Sequence, residues 1–171
     1  ARSLFVDGTL AAAGGDIRLT QPTVNGETDQ YLADRAIWLG DNARLLAQGH
    51  VRLEPTINGT RRGEVLSGGS VTVDAASGYL VTEAGSLIDV SGVAATLDLP
   101  NTASRDGTLV GGNGGAVTLA AREGMLLDGG FKAQGAGGGL GGSLSAAFDS
   151  DNVAWTTFNS VFDPLGNNTP L

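Results

Sequence analysis

Asp74, Asp89, Asp98 and Asp128, together with Arg122, are the residues of this 171-residue chain that offer the most for polar chemistry. Paired acids act as acid and base in glycoside cleavage when they stand roughly 5 to 10 Å apart. Stacked-strand enzymes that cleave acidic polysaccharides set acids and an arginine on one outer face. Each acid here reads more simply as a solvated group at a strand edge or turn. His50 is the single histidine, so a two-histidine metal motif is excluded and any Ser-His-Asp arrangement has to use it. It alternates with Val51 and Leu53 and therefore points to solvent beside Arg52, and no Gly-x-Ser-x-Gly elbow accompanies it. A chain without catalytic residues is expected.

Two glycine motifs suggest ligands and fail on inspection. The run from Gly111 to Leu119 is similar to the calcium-binding nonapeptide of β-rolls, but Ala116 stands where that motif needs an aspartate. Gly137-Gly138-Gly139-Leu140-Gly141-Gly142 has dinucleotide-binding spacing, yet such a loop must open a helix, and 143–148 offers none. There is no cysteine, which excludes disulfides, thiolate metal sites and thiol nucleophiles. Neither cofactor nor metal is expected. The aromatic residues Tyr31, Trp38, Tyr79 and Trp155 offer a platform for sugar rings. Among them Trp38, Tyr31 and Trp155 are the candidate ligand-contact residues. Asn58-Gly59-Thr60 and Asn167-Asn168-Thr169 fit the glycan-acceptor triplet and read as turns.

The elements that must position these residues follow from composition and repeat. Hydrophobic residues make up 41% of the chain but aromatic ones only 5%, so the core is built from Val, Leu, Ile and Ala in thin layers. The net charge of −8 repels phosphate backbones, so nucleic acid is not expected as a partner. No apolar run reaches the 18 or so residues of a membrane span, and the first fifteen residues lack the pattern of a signal peptide. Among the 28 glycines, a Gly-Gly pair precedes alternating apolar residues at Gly14-Gly15-Asp16-Ile17-Arg18-Leu19, Gly68-Gly69-Ser70-Val71-Thr72-Val73 and Gly114-Gly115-Ala116-Val117-Thr118-Leu119. A weaker copy is Gly141-Gly142-Ser143-Leu144-Ser145-Ala146. Period-two alternation buries one face of a strand and wets the other.

A second strand family reads Leu45-Leu46-Ala47-Gln48-Gly49, Ile88-Asp89-Val90-Ser91-Gly92 and Phe131-Lys132-Ala133-Gln134-Gly135. A third is Ile37-Trp38-Leu39, Tyr79-Leu80-Val81 and Met125-Leu126-Leu127. The window 29–47 has partial helical spacing, but its overlap with these families favours strand. Three short strands per unit suggest a triangular coil, and the fold class expected is all-β, a parallel β-helix (β-solenoid) with loop insertions. The Gly-Gly pairs lie 54, 46 and 27 residues apart, which implies about seven coils of roughly 20 to 25 residues with insertions. Glycine, Asn25, Asn42 and Asn58 are expected to supply positive φ at corners. Polar surface insertions are expected near 21–30, 54–64 and 97–111, within a coil region 1–146. Residues 147–171 form an aromatic-rich tail, either a cap or the start of a next unit. The beginning at Ala1 and the ending 166–171 read as those of a segment of something longer.

Gly68-Gly69-Ser70-Val71-Thr72-Val73-Asp74-Ala75, followed by Gly85-Ser86-Leu87-Ile88-Asp89-Val90-Ser91-Gly92, resembles the repeats of filamentous haemagglutinin-like exoproteins, large bacterial proteins of two-partner secretion. The resemblance covers about 14–146. It implies a right-handed β-helix within a long fibre that a Gram-negative cell secretes or displays on its surface for adhesion or biofilm contacts. Its partners would be neighbouring coils of the same longer polypeptide, an outer-membrane secretion partner, and host-cell or matrix glycans or proteins. The Asn-Pro-Asn signature of the family's secretion domain is missing, so the segment resembles the fibre. The competing readings are a carbohydrate-active β-helix enzyme or polysaccharide-binding module, and a pure structural spacer.

Overall fold

The computed structural model describes residues 3–21, 35–55, 59–99 and 107–148, and within them the protein is all-β, without a helix. Twelve strands form three four-stranded parallel sheets. Sheet A holds β1 (Ser3–Val6), β4 (Ala36–Leu39), β9 (Tyr79–Thr82) and β14 (Gly124–Leu127). Sheet B holds β2 (Thr9–Ala11), β5 (Arg44–Leu46), β10 (Leu87–Asp89) and β15 (Gly130–Lys132). Sheet C holds β3 (Asp16–Gln21), β8 (Ser70–Ala75), β13 (Ala116–Ala121) and β16 (Ser143–Phe148). The chain visits A, B and C in that order four times, so each pass lays one strand on every sheet. The three strand families read from sequence correspond to these three sheets.

Register follows from the alternation. Ile17, Val71, Val117 and Leu144 are in line on sheet C, Ile37 and Leu80 on sheet A, and Leu45 and Ile88 on sheet B. A one-residue slip would turn every one of these side chains outward. Their inner faces meet in one hydrophobic cluster that draws on all three sheets, with Leu39, Leu45, Val73, Leu80 and Leu119 fully buried. Burying each such side chain contributes about 1.5 to 3 kcal/mol. One polar residue on an inward ladder, the buried Thr82, is satisfied there: its Oγ1 accepts the Gly129 amide at 3.1 Å.

The Gly-Gly pairs mark the joint between sheets B and C. A β-carbon on Gly69 would stand 1.8 Å from the Gly15 carbonyl oxygen, one on Gly115 1.9 Å from that of Gly69, and one on Gly142 1.9 Å from that of Gly115. The same carbonyls accept the amides of Ser70, Ala116 and Ser143 at 3.0 Å. Backbone thus lies directly on backbone, and any side chain would separate successive passes. This revises the role expected from sequence. Of these paired glycines only Gly14 has a positive φ (63°). Gly68, Gly69, Gly114, Gly115 and Gly142 are required by close approach rather than by a left-handed turn, while a β-carbon on Gly15 or Gly141 would meet only ordinary contacts.

The described residues complete four passes, not seven. Each interval between Gly-Gly pairs is a single pass, and the first two intervals are lengthened by an antiparallel hairpin between sheets B and C. The first hairpin pairs β6 (His50–Leu53) with β7 (Gly63–Leu66), and the second pairs β11 (Ala94–Leu97) with β12 (Thr108–Gly111). They touch where the Asp98 amide donates to the Arg61 carbonyl (2.8 Å) and the Arg61 amide to Asp98 Oδ2 (2.6 Å). The stretches 54–64 and 97–111, read from sequence as polar loops, therefore contain strand residues as well as hairpin tips. In the first pass the same joint is the tight turn 12–15. In the fourth it is the turn 136–139, where Gly137 and Gly138 take positive φ and no helix follows.

Candidate binding surface

The outward positions of sheet A differ from those elsewhere. Phe5, Trp38, Val81 and Leu126 lie in register, one from each pass, and form a single file along the stacking direction. Phe5 is 63% exposed, Trp38 40% and Leu126 56%, whereas Ile37, Leu39 and Leu80 on the inward face are fully buried. Strand spacing of about 4.7 to 4.9 Å makes the file roughly 14 Å long. Beside it run Ser3, Ala36, Tyr79 and Gly124.

The aromatic rings lean along the file toward the following pass. Phe5 Cζ lies 3.1 Å from the place a β-carbon on Gly40 would take, and Tyr79 Cδ1 and Cε1 lie 3.1 Å from the same place on Gly124. Glycine at 124 therefore makes room for the Tyr79 ring of the preceding pass, and glycine at 40 for the Asp7 carboxylate (Oδ1 at 2.6 Å) together with the Phe5 ring. Trp38 reaches forward by a hydrogen bond, its Nε1–H donating to Glu83 Oε1 at 2.6 Å. Glu83 Oε2 in turn accepts the Asp41 amide at 2.9 Å. Indole, carboxylate and backbone form one chain, which fixes the ring on the sheet.

An acidic edge runs beside the file, where each pass turns from sheet A to sheet B. Asp7, Glu83 and Asp128 each follow the last residue of a sheet A strand, and Gly40 takes that place in the second pass. Asp7 Oδ1 accepts the Asn42 amide at 2.9 Å and its Oδ2 accepts Asn42 Nδ2 at 3.3 Å. Asp41 Oδ1 accepts the Gly85 amide at 3.3 Å. Arg44 Nη1 donates to the carbonyls of Asp41, Ala43 and Gly85. These carboxylates tie the corners together and retain lone pairs for further donors. An apolar file with a hydrogen-bonding edge can hold a ligand that has one apolar face and donor groups at its rim.

Of the candidate ligand-contact residues, Trp38 lies in the file, whereas Tyr31 and Trp155 fall outside the described residues. Tyr79 is adjacent to the file. The four aspartates occupy separate places. Asp74 lies on the outer face of sheet C, in line with Thr20 and Ala120. Asp89 is only 5% exposed on sheet B, where Oδ2 accepts Gln48 Nε2 at 2.8 Å and Oδ1 accepts the Ser91 amide at 2.9 Å. Asp98 is on the second hairpin and Asp128 at the A-to-B corner, while Arg122 follows β13. His50 is exposed at the start of β6. Among the described residues no group of three or more His, Cys, Asp or Glu side chains is placed to hold a metal ion, and no helix is long and apolar enough to cross a membrane.

Sequence reasoning missed Phe5, Leu126 and Glu83. The only signal for them was positional: each shares a place in its unit with Trp38 or Asp7, which becomes readable once the units are aligned. Comparison with known proteins gives no match to any family model, curated protein or solved structure.

Proposed function

We propose that this chain is a non-enzymatic segment of a large secreted bacterial surface adhesin of the filamentous haemagglutinin-like type. In this reading the three sheets are the faces of a right-handed parallel β-helix, the hand that parallel crossover connections adopt almost without exception. The fibre supplies length and rigidity, its end passes are continued by neighbouring coils of the same polypeptide, and an outer-membrane partner exports it from a Gram-negative cell. One observation carries the reading. Two hairpins leave successive passes at the same joint and touch each other, while the rest of those passes keep strict register. Regular passes make a scaffold, and paired hairpins make a feature that the scaffold holds out to a host-cell or matrix partner.

A carbohydrate-cleaving reading has less support: of the four aspartates singled out in the sequence only Asp128 joins the acidic edge beside Glu83, while Asp74, Asp89 and Asp98 stand on sheet C, sheet B and the second hairpin. The test is attachment of the purified chain to epithelial cells and to a glycan array, compared with a variant in which residues 54–62 and 98–107 are each replaced by an Asn-Gly turn. Loss of attachment with an unchanged circular dichroism spectrum is expected. Equal attachment by both proteins would remove the presenting role of the hairpins, and attachment by neither would leave a spacer.

A further inference from the structure

We infer that the Phe5–Trp38–Val81–Leu126 file is a rail for an unbranched, uncharged polysaccharide, which lies along the stacking direction and turns the apolar faces of successive sugar rings onto it. The inference deepens the adhesin reading by giving it a ligand class and a site apart from the hairpins.

Three observations converge on this ligand. The first is shape: one apolar side chain per pass, in line over roughly 14 Å, matches an elongated repeating ligand better than a single small molecule. The second is the attitude of the rings. Phe5 and Tyr79 extend over the glycine places at 40 and 124, and Trp38 is held by Glu83, so the aromatic groups follow the direction of the file. Held aromatic groups bind with little loss of conformational freedom. Ring hydrogens of a pyranose carry slight positive charge and are attracted to the negative π-face of an aromatic ring.

The third observation is the edge. Asp7, Asp41, Glu83 and Asp128 border the file and can accept hydrogen bonds from hydroxyl groups. The same carboxylates repel uronate or sulfate groups, which excludes acidic glycans. They also oppose the pairing of two copies through this face, because each copy would bring its own acids to the contact in a chain of net charge −8. A neutral chain of sugar rings satisfies both the file and the edge.

In this arrangement Trp38 and Phe5 contact the ligand, and Glu83 positions the indole as well as standing at the hydrogen-bonding edge. The test titrates the full 171-residue chain with glucose, cellotriose and cellohexaose, followed by isothermal calorimetry and by perturbation of the Trp38 indole resonance. Hexagalacturonate and an oligolysine peptide are run in parallel, and sedimentation monitors self-association. Cellohexaose is expected to bind, with affinity rising from glucose through the trimer. Trp38→Ala and Phe5→Ala should each weaken binding by about tenfold. Glu83→Ala should weaken it as well, while Glu83→Gln, which keeps an acceptor for the indole, restores it. Thr72→Ala on sheet C should change nothing, and all variants should retain the parent circular dichroism spectrum.

The inference is overturned if cellohexaose does not bind at millimolar concentration, or if it binds equally to Trp38→Ala and Phe5→Ala. It is likewise overturned if hexagalacturonate or oligolysine binds through the file instead, or if sedimentation shows the file to be a contact between copies. Failure here is distinct from failure of the adhesin reading, since cell attachment lost on trimming the hairpins would stand without any binding to the file.

Discussion

Sheets A and C are built alike inside and differently outside. Both are four parallel strands in register, and both turn Leu, Ile or Val inward from successive passes. On the outer face of sheet C the in-line residues are Asp16, Ser70, Ala116 and Ser143, then Arg18, Thr72, Thr118 and Ser145. On that of sheet A, Phe5, Trp38, Val81 and Leu126 occupy the corresponding file. The inward positions answer to the core, so their chemistry is shared. Outward positions are released from that demand, and small polar residues suffice on sheet C. The exposed aromatic and aliphatic residues on sheet A exceed what the outer face of sheet C needs, and the glycan contact proposed above would account for them.

The glycine joint lies between sheets B and C, but every pass runs through it, so breaking it should erase the difference between A and C by unfolding both. Gly115→Val is expected to cost about 3 kcal/mol or more, because the new β-carbon would overlap the Gly69 carbonyl oxygen and neither backbone can move independently. Urea denaturation followed by circular dichroism measures this. If the midpoint stayed within error of the parent, the close backbone approach would be wrong. Next in size are Leu80→Ala in sheet A and Leu119→Ala in sheet C. Both residues are fully buried, and each replacement should cost about 2 to 5 kcal/mol. Similar losses would sharpen the comparison, and a near-zero loss in either sheet would break it.

The outer faces should then separate. Trp38→Ala removes a half-buried ring and its hydrogen bond to Glu83, at a cost of about 1 to 2 kcal/mol. Thr72→Ala should stay within about 0.5 kcal/mol. A Trp38 loss as large as that of Leu80 would mean the indole serves the fold first. The smallest effect belongs to the hairpins. Arg52 Nη2 and Glu64 Oε1 are 2.9 Å apart, but their side chains are 69% and 47% exposed. A double-mutant cycle across them should yield less than about 1 kcal/mol, falling further with added salt.

Much of this architecture was legible in sequence, for reasons that also set the limit. Val71-Thr72-Val73 and its counterparts announce themselves because alternation and a flanking Gly-Gly pair coincide. Strands β1 and β2 lack that flank, and Leu4-Phe5-Val6 is apolar throughout, so no alternation distinguishes the outward Phe5. Gly63-Glu64 of β7 and Thr108-Leu109-Val110-Gly111 of β12 fall within the expected loops because these strands pair only with their own hairpin partners and repeat nowhere else. That also misled the count of passes, since 54 residues between Gly-Gly pairs contain one pass and a hairpin rather than two passes. The file on sheet A was the least visible feature. Trp38 and Val81 are 43 residues apart, and nothing in their types tells that they are neighbours until the ladder is drawn.

The central claim, that successive passes stack in parallel register on three sheets, is tested most directly by cross-linking, which the absence of native cysteine makes clean. One cysteine pair is placed on each sheet at in-line outward positions: Trp38→Cys with Val81→Cys, Arg44→Cys with Leu87→Cys, and Thr72→Cys with Thr118→Cys. Adjacent strands about 4.8 Å apart lie within the Cα range of roughly 4.4 to 6.8 Å that a disulfide spans. All three pairs should close under mild oxidation, whereas Thr72→Cys with Ala120→Cys, displaced by two residues, should remain open. Failure of any in-line pair to close, or closure of the displaced pair in its place, would contradict the stacked register.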